Sequence, residues 1–179
     1  VKKCSLLFLL LPIFCLNAQT SNKVEYGLFK INVLIPGVSY ELGLGSRSTM
    51  NFEASLVPVV ENGFNNELDW VLFPSLIAEF RYYTNMNRRI GKGKNISGNS
   101  GNYVSFLSQA LITAPILGNI EYDEPIAYLG AFNYGFQRTY GKGFYFSIAG
   151  GPAFFSGDNN PIAAIYLDAR IGWVLGKRK

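Results

Sequence analysis

Along most of the chain, apolar and polar residues alternate one for one, the period of a β-strand with two unlike faces. Phe29-Lys30-Ile31-Asn32-Val33 shows the pattern, as do Phe52-Glu53-Ala54-Ser55-Leu56 and Leu167-Asp168-Ala169-Arg170-Ile171. It predicts eight strands, at about 24–35, 37–45, 50–60, 70–84, 102–114, 125–138, 143–155 and 161–175, bounded by Gly, Asn, Ser and Pro. Many are longer than ordinary strands and reach the roughly 9–11 residues that cross a bilayer in a tilted barrel. No stretch after residue 18 approaches the roughly 20 apolar residues of a spanning helix. Neither a fixed-period repeat nor an internal domain boundary is visible.

The alternation sorts the strands into two faces. One is bulky and aromatic, with Phe29, Tyr40, Phe52, Phe80, Phe106, Phe132, Tyr134, Phe146 and Trp173. The other carries Lys30, Glu41, Glu53, Glu79, Arg81, Asp168 and Arg170 among Ser, Asn, Gln and Gly. Ile77, Leu107 and Leu129 fall on the polar face and Ser108 on the apolar one, against the pattern. The apolar face is too large to fit comfortably inside eight strands. The polar face has one Lys, Lys30, where a water-facing exterior usually carries many more Lys and Glu. The expected fold is therefore all-β: an eight-stranded antiparallel up-and-down transmembrane β-barrel, apolar outside, its lumen filled by side chains. The seven charges are expected to form a compensated lumen ion-pair network. Two rivals stand: a narrow channel for small solutes, and a soluble periplasmic lipocalin-like lipid carrier with the faces reversed.

The connections add an axis. Odd-numbered ones after the first carry Glu61, Glu67, Asp69, Glu121, Asp123, Glu124 and Asp158 and no Lys or Arg. Even-numbered ones and the C-terminal tail carry Arg47, Arg88, Arg89, Lys92, Lys94, Lys142, Lys177, Arg178 and Lys179 and no Asp or Glu. Pro36, Pro58, Pro74, Pro115, Pro125, Pro152 and Pro161 all lie in or beside odd connections. In an up-and-down barrel this makes one end acidic and proline-rimmed and the other basic, with tight turns such as Gly45-Ser46-Arg47. Outer-membrane barrels have loose loops outside and short turns in the periplasm, so the acidic end is expected to face out.

The segment 85–102, glycine-rich with Arg88, Arg89, Lys92 and Lys94, breaks the short-turn rule. It reads either as a solvated, flexible turn or as a site for an anionic periplasmic partner. Glu121, Asp123 and Glu124 form an acidic loop that could share divalent cations with lipopolysaccharide phosphates; no metal site with EF-hand spacing is present.

Residues 1–18 read as a secretory signal peptide: Lys2 and Lys3, an apolar run from Leu6 to Leu16, and Leu16-Asn17-Ala18 before a cut at Gln19. Cys4 and Cys15 leave with it, and the chain has no His. That removes the thiolate and the usual neutral-pH base, so an enzyme, a cofactor and a metal are not expected. The formal charge of +4 does not imply nucleic acid, because the basic residues are confined to turns of an exported chain.

Signal peptide, eight alternating strands and polar lumen together resemble the small outer-membrane β-barrel proteins of Gram-negative bacteria, the OmpA/OmpX-like, "porin family" group. Arg81-Tyr82-Tyr83 and Asn99-Ser100-Gly101-Asn102-Tyr103 look similar to stretches in uncharacterised members of such families. The resemblance implies a monomer in the cell outer membrane, in contact with membrane lipids and lipopolysaccharide. It implies little about activity.

Overall fold

The computed structural model describes residues 23–62, 68–118, 124–156 and 162–176. It contains a single antiparallel sheet of nine strands: β1 Gly27–Asn32, β2 Gly37–Gly43, β3 Ser48–Asn62, β4 Leu68–Tyr83, β5 Gly101–Ile112, β6 Leu117–Gly118, β7 Ile126–Thr139, β8 Phe144–Ser156 and β9 Ile162–Leu175. The hydrogen-bonded order runs β3-β2-β1-β9-β8-β7-β5-β4, and β3 also pairs with β4, so the sheet returns on itself as a ring. Each expected strand has a counterpart. The ninth is β6, a two-residue strand laid against Val71 and Leu72 of β4, where eight strands were expected. The odd connections lie at one end of the ring, here the odd end. The even ones lie at the other.

Strand lengths at the odd end correct the sequence reading. Glu61 and Asp69 are not in a loop: they pair with each other in the β3–β4 ladder. Pro58, Pro74 and Pro152 lie inside β3, β4 and β8, within the strands expected at 50–60, 70–84 and 143–155. Each stands where a neighbour's pairing is missing, as a residue without an N–H requires. Pairing of β3 to β2 stops at Ser55, before Pro58. Pairing of β5 to β4 begins at Ser75, after Pro74. Between β7 and β8 the ladder lapses from Gly150 to Ala153, across Pro152.

The period-2 pattern resolves as an inverted burial. Phe29, Tyr40, Phe52, Phe80, Phe106, Phe132, Tyr134 and Trp173 are exposed, whereas Lys30, Glu41, Glu53, Glu79, Arg81, Asp168 and Arg170 are buried inside the ring. Among the described residues Arg138, near the even end of β7, is the one charged side chain on the outward face of a strand. Ile77 and Leu107, apparent errors of pattern, instead form an interior apolar layer with Ala131 and Ala153, backed by Leu129 and Tyr166. The interior strands come close enough to need glycine. A Cβ on Gly172 would stand 1.9 Å from the carbonyl oxygen of Ile31, and one on Gly151 the same distance from that of Phe132.

Candidate functional site

Register brings the interior charges together. Lys30 on β1 donates to Glu41 Oε2 on β2 at 2.5 Å. The other oxygen, Oε1, accepts from Thr49 at 2.8 Å, Tyr83 at 2.7 Å and Asn99 Nδ2 at 2.9 Å. Glu41 thus accepts from donors of four other segments, which offsets the cost of burying a carboxylate. Arg81 donates to Glu79 Oε2 through Nε at 2.9 Å and Nη2 at 2.6 Å, and stacks over the Tyr103 ring, 4.8 Å from its centre. Arg170 reaches Glu53 at 2.9 Å and Asp168 at 2.8 Å, and lies 3.6 Å from Glu79. All seven residues of the expected network therefore meet in one chain of ion pairs.

Two partners escaped the sequence reading. Gln137 Oε1 accepts from both Lys30 and Arg81, at 2.9 and 3.1 Å, keeping two like charges apart, while its Nε2 donates to the Gly98 carbonyl. Glu25 is buried just before β1 and accepts from the Gly98 N–H at 2.6 Å. The expected first strand began at residue 24; in the structure 24–26 precede β1 and close the even end.

The basic segment is corrected most. It is not a structureless turn. Residues Met86–Gly91 form a short helix, α1, and Ser97–Asn99 a 3-10 turn. Gly98 and Asn99 adopt positive φ, 58° and 57°, which glycine and asparagine tolerate. That conformation turns the segment into the mouth of the ring, where Met86, Gly98, Asn99 and Ser100 are buried. Asn99 accepts from the Glu25 N–H at 2.8 Å and donates to Glu41, so the cap and the charge network share atoms. Of the four cations, Arg89 is half-buried and donates to the Asn95 carbonyl, while Arg88, Lys92 and Lys94 are exposed. Among the acidic positions Glu124 is exposed beside Thr113, whose hydroxyl donates to its carbonyl. Glu67, Glu121, Asp123 and Asp158 lie outside the described residues.

The odd end is built differently. Between the odd-end ladder of β5, β7 and β8 and the carboxylates of Glu53 and Asp168 lies a cavity of about 250 Å³, walled by Ile77, Leu129, Phe155 and Tyr166. The interior thus has a cap at the even end, ion pairs, an apolar layer, and a pocket towards the odd end. No family model, curated protein or solved structure matches the chain.

Proposed function

We propose that the chain is an integral outer-membrane β-barrel with a side-chain-filled lumen, serving a structural or interaction role in the cell envelope. The inverted burial carries this reading. In water the exposed band, with Phe132 at 62 % and Leu167 at 80 % exposure, forms an apolar surface that soluble monomers rarely show. Against lipid the same band is matched, and the return of the ladder on itself pairs β1 with β9 where an open sheet would leave two edges. Aromatic residues gather near the even end, where Phe136 meets Phe146 at 5.6 Å and Phe144 meets Trp173 at 5.9 Å. Trp70 and Phe154 are exposed towards the odd end. Aromatic side chains at both rims suit the two membrane interfaces. Ion pairs and the cap fill the interior, which favours a plugged barrel over a solute path. A lipid carrier would need an apolar interior here.

In this reading the even end, with Arg88, Lys92 and Lys94, faces the periplasm. Membranes washed with alkaline carbonate should retain the protein, and release into the supernatant refutes integral insertion. On the same cells, trypsin should cut at Lys92 and Lys94 only after the outer membrane is permeabilised. Cutting on intact cells reverses the orientation.

A further inference from the structure

The interior ion pairs do not balance. Glu41 is matched by Lys30 and Glu79 by Arg81, but Arg170 alone serves both Glu53 and Asp168. With the seven residues of the network ionised, one negative charge is left over, and it sits on the Glu53–Asp168 pair; Glu25, buried at the even end, is held separately by the Gly98 N–H. An uncompensated buried charge is costly, so a site that carries one takes up a proton or a further cation.

That pair lines the cavity of about 250 Å³ at the odd end. Ser55 lines it too, is 6 % exposed, and its hydroxyl has no hydrogen-bond partner among the described residues. The rest of the wall is mostly apolar, with Ile77, Leu129 and Phe155, and includes Gln109 and Tyr166. Three features define an occupant. The excess is a single charge. Its polar groups include two carboxylates and a hydroxyl that can accept. The volume is below the roughly 300–1,000 Å³ of pockets for drug-sized ligands. Among the described residues no three carboxylate, His or Cys side chains gather as they would to hold a metal ion.

We propose that the cavity binds a small primary ammonium compound with a short apolar body. Its ammonium group donates to Glu53, Asp168 and the Ser55 hydroxyl, and its body lies against Ile77 and Leu129. Entry is from the odd end, whose connections carry Glu67, Glu121, Asp123 and Asp158 and no Lys or Arg, a distribution that concentrates cations. The inference concerns the interior alone and holds wherever the ring is placed.

Benzylammonium is a suitable probe, with benzyl alcohol and ammonium chloride as its apolar and charged halves. The protein, folded in a non-ionic detergent, is titrated while backbone amide resonances are followed. Saturable shifts are expected at Ser55, Ile77 and Leu129 with benzylammonium, and at least tenfold weaker binding of either half. Asp168→Asn keeps the shape and removes the excess charge, so benzylammonium should bind at least tenfold more weakly while the other resonances stay in place. Glu53→Gln offers the same test should Asp168→Asn not fold. Leu129→Trp fills the cavity and should abolish binding. Absence of saturable shifts, equal binding of benzyl alcohol or of ammonium ion, or undiminished binding in the folded carboxylate variant overturns the proposal.

Discussion

At the scale of single residues the interior is unforgiving because each charge is shared. Arg81→Ala would leave Glu79 with the more distant Arg170 alone, 3.6 Å away, and remove one of the two donors held by Gln137 Oε1. Arg170→Ala would leave Glu53 and Asp168 together with no cation. Removing one partner of a buried pair costs about 3–5 kcal/mol. Arg88 is exposed, and surface substitutions usually stay within about 0.5 kcal/mol. Thermal unfolding in detergent should therefore place Arg81→Ala and Arg170→Ala far below the parent and Arg88→Ala beside it. Equal midpoints would contradict the assignment of faces. The seven charges were legible in the sequence because inward orientation follows from parity along a strand. Gln137 and Glu25 were not. What makes Gln137 central is its closeness to Lys30 and Arg81, which come from strands far away in sequence. That closeness is set by the registers around the whole ring. The unbalanced pair was equally hidden, since which cation faces which carboxylate is a cross-ring property.

At the scale of elements the strands were legible and their odd ends were not. Glu61 and Asp69 read as loop, whereas β3 and β4 run on through them, beyond the point where a neighbour stops pairing. The even-end cap was missed for a related reason. Its glycines, Arg and Lys look like a solvated turn, and only the positive φ of Gly98 and Asn99 aims it inwards. Ring curvature rests on close strand approach at inward glycines. Gly172→Ala would drive a Cβ against the backbone of Ile31, which cannot yield as a side-chain tip can, whereas nothing lies within 4 Å of a Cβ on Gly130. Gly172→Ala is expected to lower the unfolding midpoint or prevent folding, and Gly130→Ala to leave it unchanged or slightly raised, since glycine in a strand is weakly unfavourable. Similar midpoints for the two would show that the strands can part at Gly172 without loss.

At the scale of the whole molecule, charge and proline segregation were legible as an axis, and the layered interior was not. The four places where apolar and polar positions broke step included Ile77 and Leu107, which carry the apolar layer; pattern alone gives no means of telling an exception from a layer. The ring closes between its first and last strands, and this seam is short. β1 and β9 share four paired positions, Phe29 to Asn32 against Leu175 to Gly172, with one added bond from the Val33 N–H to the Ile171 carbonyl. The β3–β4 ladder runs instead from Ser48 to Asn62. Amides of Phe29 to Asn32 should exchange with deuterium ahead of those of Asn51 to Ala54, because opening the seam breaks fewer bonds; the reverse order would show that side chains bridging the seam, such as Tyr145 to Asn32, hold it more firmly than its ladder. The seam also has a meaning in time. Arg170 rides on the last strand, so a nascent chain cannot neutralise Glu53 until its final segment has emerged and docked. A ring that fails to finish retains two raw edges and a bare anion at its heart, and so a half-made molecule is marked as unfinished by its own chemistry.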